Sequence, residues 1–256
     1  MKSFIINEQN AAFYAQKIAA WIQENVKNAG VKGVVLGMSG GIDCSVVARL
    51  CQLANVDIHL VMMPYGDDMA HSKSHNHAME IIEKFNFPYH IYNIKSAVDA
   101  LIIPDSFQII DNINKSDIEL SRANIRPRVR MTYLYQLAQQ NGCLVVGTGN
   151  LAERTVGYFT KWGDGACDFN PLAMLTKGEV YTLAHYLEVP DCIINKKPSA
   201  GLWDGQTDED ELGMTYNQID AYILNGTSGN ADIDAGIKRR IKMSAHKFNP
   251  TPMFEG

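Results

Sequence analysis

A short run of small and polar residues, SGGIDCS at positions 39–45, separates two apolar stretches and has the composition of a phosphate-binding turn. Two adjacent glycines let backbone amides close around an anion, and a helix that begins directly after them points its positive end at the same place. Asp43 cannot contact a phosphate directly, because like charges repel, so a carboxylate at this position suggests a Mg²⁺ ligand. The alternative is a plain strand-to-helix turn in which Asp43 only favours the start of the helix.

Two other phosphate-binding loops do not match this turn. A Walker A loop requires a Lys directly after its last glycine to reach the outer phosphates, and Ile42 follows Gly41 instead. A dinucleotide fingerprint requires G-x-G-x-x-G/A, which the glycines of this turn do not satisfy. A later run, GTGNLA at 147–152, does satisfy it, but the matching ribose-binding acid would be Asp168, which follows a Gly- and Asp-rich segment rather than a strand. We therefore do not expect a dehydrogenase-type cofactor site.

Strands and helices alternate around these turns. Predicted strands cover 33–38, 57–63, 88–93 and 143–148. Predicted helices cover 8–29, 42–54, 73–86 and 126–142, and two more lie between 215 and 247. This alternation predicts an α/β protein: a doubly wound, Rossmann-like parallel sheet of about five strands with helices on both faces. Ligands of such sheets bind beyond the carboxyl ends of the strands, where the strand order reverses, so we expect both glycine turns on the binding edge.

Length and composition narrow the class of protein. The chain has 256 residues, of which 46% are hydrophobic and 20% charged, as is ordinary for a globular protein. We expect a single domain over 1–256, with an N-terminal helix at 8–29, a nucleotide-binding core at 31–200 and a C-terminal helical segment at 208–247. The polar stretch at 196–213 is too long for a simple connection, which favours a functional loop.

Charge and cysteine usage indicate the compartment and exclude some partners. The net charge of -5 argues against a nucleic-acid or membrane-surface binder, since both require a basic excess. The five cysteines are odd in number and form no C-x-x-C pair, which is typical of reduced thiols rather than a disulfide framework or zinc site. The N-terminus lacks the apolar core of a secretory signal. We therefore expect a cytoplasmic protein without nucleic-acid or membrane partners.

The turn at 39–45 matches the pyrophosphatase loop S-G-G-x-D-S at five of six positions, counting the free one. Further motifs follow in order: GTGNLAE at 147–153, YFTKWGDGACD at 158–168, PLAMLTKGEV at 171–180, DEDELGMTYNQID at 208–220 and SAHK at 244–247. With this series, which spans most of the chain from about 33 to 254, the sequence resembles the ammonia-dependent NAD synthetases. That family belongs to the adenine nucleotide alpha hydrolase-like superfamily.

The resemblance implies a two-step ligase reaction. ATP adenylates the nicotinate carboxylate of deamido-NAD and releases pyrophosphate, and ammonia then attacks the acyl-adenylate to give NAD and AMP. A carboxylate is a poor electrophile, so adenylation supplies the leaving group, and the enzyme must neutralise a departing pyrophosphate. Glutamine-dependent members carry an additional amidase domain, for which 256 residues leave no room, so free ammonia is the expected nitrogen donor unless a separate subunit supplies it. The resemblance also implies a homodimer, with the N-terminal helix and the helix at 126–142 as candidate interface elements.

The resemblance further implies a set of site residues. Those expected to bind ATP are Gly37, Met38, Ser39, Gly40, Gly41, Ile42, Asp43, Cys44, Thr148, Lys177 and Ser199. Those expected to bind deamido-NAD are Arg128, Lys161, Asp168, His246 and Lys247, and Asp43 and Glu153 are expected to hold Mg²⁺. Judged locally, several of them have simpler explanations: Thr148 as a helix cap, Lys177 as a solvated lysine at a helix start, and Arg128, His246 and Lys247 as surface charges.

The sequence departs from the family pattern in places, and alternatives remain open. Cys44 stands where the loop usually has Ser, and Met62 and Asp68 stand where an Arg and a Gln are expected around the adenine. The histidine-rich run at 71–77 could bind metal, but a solvated stretch entering a helix is the simpler interpretation. Another pyrophosphatase-loop amidotransferase, a thiolation enzyme or a non-catalytic ATP sensor would share the loop itself.

Overall fold

The computed structural model describes residues 4–66, 73–104, 114–199, 207–249 and 252–254. The chain begins with helix α1, Ala11–Asn28, whose buried side repeats every three or four residues, as an amphipathic helix requires. It is shorter than the predicted 8–29 because residues 7–10 form a turn held by the Asn7 and Asn10 side chains.

Four parallel strands form the sheet: β1 Gly33–Gly37, β2 Asp57–Met62, β3 Tyr89–Ile91 and β4 Cys143–Val145, in the order β3-β2-β1-β4. The predicted count of about five is therefore corrected to four for the described residues. A single parallel bridge, Val146 to Phe169, continues the sheet beyond β4. The segment before Phe169 is rich in Gly and Asp and has no apolar run that could extend this bridge into a strand.

Eleven further helices follow in the described residues: α2 Ile42–Leu53, α3 Lys73–Phe85, α4 Lys95–Ala100, α5 Lys115–Ala123, α6 Ile125–Asn141, α7 Leu151–Val156, α8 Lys177–Tyr186, α9 Asp191–Ile194, α10 Asp208–Leu212, α11 Tyr216–Asn225 and α12 Ala231–Ser244. A 3₁₀ turn, Ala245–Lys247, follows α12. In the described part of the chain, none of these helices combines the length and apolar composition needed to cross a membrane.

The sheet is covered on both faces, as its alternating side chains require. Val34 and Leu36 of β1 pack into one core with α1, α2, α3 and α8, whereas Val35 packs into another with α4 and α6. A third, smaller core joins α7 to the C-terminal helices through residues such as Ala152 and Ile237. The predicted α/β sheet with helices on both faces is thus confirmed.

The strand order reverses between β1 and β4. The chain adds β2 and β3 on one side of β1 and then returns to place β4 on the other. Neighbouring parallel strands end at the same edge, so the turns after β1 and β4 lie side by side at the crevice where open α/β sheets bind ligands. The candidate site lies at these two turns.

Candidate active site

The turn between β1 and α2 is shaped for close approach of backbone to a ligand. Gly40 has a φ of +71°, and a side-chain carbon there would lie 2.3 Å from the backbone oxygen of Ser74 in α3. Only glycine fits both conditions, so the turn lies directly against α3. The amide of Gly41 donates to the Ser39 hydroxyl, and α2 begins at the next residue. The turn therefore places a helix N-terminus beside a glycine-rich backbone, an arrangement that favours a phosphate.

Asp43, in the first turn of α2, meets residues from two distant segments. The Lys177 ammonium lies 2.6 Å from one Asp43 oxygen, and the Asn150 side-chain amide donates to the other at 3.0 Å. Lys177 also lies 3.7 Å from the carboxylate of Glu153. The predicted site residues Asp43 and Glu153 thus both lie beside the predicted site residue Lys177. Asn150 also belongs to this cluster, and sequence reasoning missed it.

Local capping motifs hold Glu153 and Lys177 in place. Asn150 and Glu153 form a reciprocal capping box at the start of α7, in which each side chain binds the other residue's backbone amide. Thr176 and Glu179 form the same motif at the start of α8, whose first residue is Lys177. Both motifs, N-x-x-E and T-x-x-E, are visible in the sequence, so the two helix starts could have been predicted from it. The sequence does not indicate that the two helix starts meet.

Burial and neighbouring charges shift the pKa values of Lys177 and Glu153 in this cluster. Burial alone would lower the pKa of Lys177, but the Asp43 and Glu153 carboxylates outweigh it and hold that pKa above its usual value, so the ammonium is charged. Burial, together with the negative charge of Asp43, raises the pKa of Glu153 to about 8. Two crowded carboxyl groups therefore lie beside one ammonium, and a divalent cation bound to their hard oxygen atoms would favour the deprotonated form of Glu153.

A second layer around Lys177 comes from the C-terminal segment, and sequence reasoning missed it. The ring of Tyr216 lies 4.8 Å from the Lys177 ammonium, and its hydroxyl donates to Asp208 at 2.9 Å and lies 3.5 Å from Glu153. Asp220 of α11 accepts the backbone amides of Lys177 and Gly178. Tyr216, Asp208 and Asp220 all lie in the DEDELGMTYNQID motif, which was the available signal.

Three further residues that are predicted to bind ATP are Cys44, Thr148 and Ser199. The Cys44 thiol is buried and donates to the carbonyl of Gly41, so the side chain points into the fold and leaves the turn's backbone for a ligand. Thr148 is half-buried in the turn between β4 and α7, on the same edge as Asp43. Ser199 is exposed next to residues 200–206, which lie outside the described residues. The ATP roles of Thr148 and Ser199 stay predictions.

Several residues predicted to bind deamido-NAD come together at the end of α12. The Lys161 ammonium donates to the carbonyl of His246 at 2.7 Å, and the Arg128 guanidinium donates to the carbonyl of Lys161 at 3.3 Å. Residues from α6, the Gly- and Asp-rich turn and the C-terminus therefore share one surface. Arg128 is exposed.

Lys247 and Asp168 differ from that group in what they contact. The Lys247 ammonium donates to the carbonyls of Gly157 and Phe159, which ties the chain end to the turn after α7. Asp168 lies beside β4, where one of its oxygens accepts the amide of Val145. Both side chains thus have bonds within the protein, and their part in ligand binding stays a prediction.

The expected adenine region is only partly described. Met62 is buried at the end of β2 and packs into the core with α1 and α2. Asp68 and the first two residues of the histidine-rich run at 71–77 lie outside the described residues. The prediction that adenine contacts differ from the family pattern therefore stays open.

Comparison with known proteins identifies the family. A model of the NAD synthase family matches residues 14–251. The NH(3)-dependent NAD(+) synthetase of Finegoldia magna is 40% identical over 247 residues, which are 96% of this chain and 97% of that protein. Among solved structures, NMN synthetase from Francisella tularensis has a TM-score of 0.87 at 36% identity and covers 96% of this chain and 99% of its own. NH3-dependent NAD synthetase from Campylobacter jejuni has a TM-score of 0.76 at 31% identity and covers 98% and 100%. A chain with this motif series, this sheet and these relatives belongs to the NAD synthase family.

Proposed function

We propose that this chain is an ammonia-dependent NAD synthetase: a ligase that uses ATP to amidate deamido-NAD and releases AMP and pyrophosphate. The observation that carries the proposal is the meeting of Asp43, Glu153 and Lys177 beside the glycine turn after β1. That arrangement suits a triphosphate, because it combines backbone amides, an ammonium and two carboxylates able to hold a cation. The curated relatives carry the same activity in their names.

In the adenylation step, the proposed role of the glycine turn, the start of α2 and Lys177 is to stabilise the leaving phosphates. The nicotinate carboxylate attacks the α-phosphorus of ATP, the bond from that phosphorus to the bridging oxygen breaks, and pyrophosphate leaves with the electron pair. The turn at 38–41 and the start of α2 stabilise the charge on the leaving phosphates, and the Lys177 ammonium adds a full positive charge. Ammonia then attacks the acyl carbon and AMP leaves.

The cation-binding part of the site fits Mg²⁺. Asp43 and Glu153 would hold the ion, since both are carboxylates and both already face the single ammonium of Lys177. When bound, Mg²⁺ would neutralise part of the negative charge on the phosphates. Asn150 keeps Asp43 oriented, and its capping box with Glu153 fixes the second carboxylate relative to the first.

The acceptor is proposed to bind on the surface made by Arg128, Lys161, His246 and Lys247. These residues supply a guanidinium, two ammonium groups and an imidazole at the junction of α6 and the chain end, a suitable composition for a diphosphate. Asp168 is proposed to contact the same ligand from the edge of the sheet.

A second candidate acceptor is the mononucleotide, nicotinate mononucleotide. The Francisella NMN synthetase superposes with a TM-score of 0.87, against 0.76 for the Campylobacter NAD synthetase. NMN carries the same amide as NAD but lacks the adenylyl half, so both acceptors would use the same adenylation chemistry. Contacts to the second nucleotide decide between them.

We also propose a homodimer in the cytoplasm, without nucleic-acid or membrane partners. Helix α1 exposes Phe13 and Trp21, and α6 exposes Tyr135, so both elements expected at the interface present aromatic side chains to solvent. Sedimentation should give a dimer, and an active monomer would refute this assembly.

The test measures product and pyrophosphate together. Purified protein is incubated with ATP, MgCl₂ and ammonia, and with either deamido-NAD or nicotinate mononucleotide. We expect pyrophosphate and NAD with deamido-NAD, no pyrophosphate without an acceptor, and glutamine unable to replace ammonia. Faster turnover of nicotinate mononucleotide would assign the second acceptor. ATP binding without pyrophosphate from either acceptor would indicate a non-catalytic sensor, and product formation only from other carboxylates or carbonyls would indicate a different pyrophosphatase-loop enzyme.

A further inference from the structure

A cavity of about 300 Å³ opens next to Lys177 and is rich in lysine. Its lining includes Lys177, Tyr181, Tyr216 and one acidic residue, Glu209, together with residues 194–198. Lys196 and Lys197 both belong to the 194–198 segment. The cavity thus connects the ammonium already assigned to ATP with a second pair of positive charges that have no role in the site described above.

Lys196 contacts α3, the helix that lies against the glycine turn. Its ammonium donates to the hydroxyl of Ser74 at 3.1 Å, and Ser74 belongs to the same turn of α3 that Gly40 contacts. Burial lowers the pKa of Lys196, and Cys44, in the first turn of α2, acts in the opposite direction. The bond to Ser74 places Lys196 beside α3, close to the turn that would hold the phosphates.

The two lysines differ in what balances their charge. The Lys177 ammonium is matched by Asp43 at 2.6 Å and by Glu153 at 3.7 Å. Across the described residues, the hydrogen-bond partner of Lys196 is the neutral hydroxyl of Ser74, and no carboxylate lies within 4 Å of its ammonium. Lys196 therefore brings a half-buried positive charge to the cavity without an ion-pair contact to a described carboxylate, an arrangement that favours an anion.

We propose that Lys196 is the second cation of the phosphate site, which binds the terminal phosphates of ATP and then the departing pyrophosphate. The proposal rests on the ATP-dependent function argued above. When the bond between the α-phosphorus and the bridging oxygen breaks, the electron pair and the negative charge go to the pyrophosphate. Lys177, already paired with Asp43, offsets that charge less than an ammonium with a neutral partner does.

The competing explanation is structural: Lys196 would only fasten the segment after α9 to α3 through Ser74. The two roles differ in which ligands they affect. A phosphate role concerns ATP and pyrophosphate but not AMP, which lacks the terminal phosphates. A fastening role lowers stability and affects all nucleotides alike.

The test is calorimetric binding of ATP, AMP and inorganic pyrophosphate to the full chain in MgCl₂, comparing native protein with Lys196→Met. We expect affinities for ATP and pyrophosphate to fall about 10- to 100-fold, as when a charge-assisted hydrogen bond is lost, with AMP affinity unchanged. Lys196→Arg, which keeps the charge, should recover most of the loss. Lys32→Met removes an exposed lysine at the opposite end of β1 and should leave all three affinities unchanged.

Three results would overturn the proposal: native affinities for ATP and pyrophosphate in Lys196→Met, an equal loss for AMP, or a full reproduction of the loss by Ser74→Ala. None of these measurements requires NAD to form. If the native chain binds ATP and pyrophosphate but amidates neither proposed acceptor, the proposed function fails while the role of Lys196 is still decided by the binding pattern.

Discussion

The Lys177 ammonium lies 2.6 Å from the Asp43 carboxylate, although 134 residues separate the two in the chain. Asp43 stands at the start of α2, after the glycine turn, and Lys177 is the first residue of α8. The pair joins the glycine turn to the second half of the chain, and Glu153 from the first turn of α7 completes the group. A triphosphate at the turn would therefore meet an ammonium already held in place.

Replacement of Lys177 by Met removes this ammonium while it keeps an unbranched chain of similar length. We expect kcat/KM for ATP to fall by about 10²-fold or more, because the charge proposed to stabilise the leaving pyrophosphate is lost. Two carboxylates would also face each other in a buried site, so the free energy of unfolding should fall by roughly 3 to 5 kcal/mol. Pyrophosphate release and urea unfolding measure the two effects. Lys177→Arg, which restores the charge, should be more stable than Lys177→Met, and an equally active Met variant would contradict the assignment.

Gly40 and Gly41 offer a matched pair of substitutions in the phosphate turn. A side-chain carbon at Gly40 would lie 2.3 Å from the backbone oxygen of Ser74, with φ at +71°, so Gly40→Ala must displace either the turn or α3. At Gly41 the nearest atom would be the Ser39 hydroxyl at 3.3 Å, and the backbone is extended. We expect Gly40→Ala to weaken ATP binding and to lower the melting temperature, and Gly41→Ala to have a smaller effect on the melting temperature. Similar melting temperatures for the two variants would show that α3 does not confine the turn.

Asp220 anchors the start of α8 from α11. Its carboxylate accepts the amides of Lys177 at 3.1 Å and Gly178 at 2.8 Å, and the residue is 8% exposed. Asp220→Ala leaves two amides without this acceptor, so we expect a loss of roughly 2 to 4 kcal/mol in the free energy of unfolding and a higher KM for ATP. Asp220→Asn keeps one acceptor oxygen, so its free energy of unfolding and its KM for ATP should lie between those of native protein and those of Asp220→Ala. An Ala variant with native KM for ATP would show that Lys177 is positioned without this anchor.

The buried thiol of Cys51 should make the stability of the protein depend on pH in the alkaline range. Its side chain is fully buried in α2, and burial raises the pKa of the thiol to about 12 from an ordinary value of 9.0. Between these values the unfolded chain loses the thiol proton while the folded chain keeps it, so stability falls as pH rises, by about 1.4 kcal/mol per pH unit. Urea unfolding from pH 8 to about 11 should therefore show a flatter decline for Cys51→Ala than for native protein, despite its lower stability at pH 8. Parallel declines would contradict this account.

The local part of the molecule was predictable from the sequence. Strand and helix periods located β1, β2, α2 and α6 to within one or two residues, because each buries a regular face and that face is recorded in neighbouring residues. The glycine turn and the capping boxes at Asn150 and Thr176 are also local, since their hydrogen bonds join residues three positions apart. β3 proved shorter than predicted, at Tyr89–Ile91, since its exposed side chains lie at the edge of the sheet.

The ordered motifs determined more than periodicity could, namely the family and the residue types of the site. Only the tertiary structure decided which of those residues meet. Asn150 turns to Asp43, Tyr216 lies against Lys177, and the Lys247 ammonium binds backbone carbonyls. These contacts depend on how α7, α8 and the C-terminal helices pack on one another, and packing is not written in the spacing of neighbouring residues. The sequence alone thus determined the elements and the chemistry available to them, and long-range packing decided the arrangement in which an ammonium and two carboxylates meet beside the glycine turn.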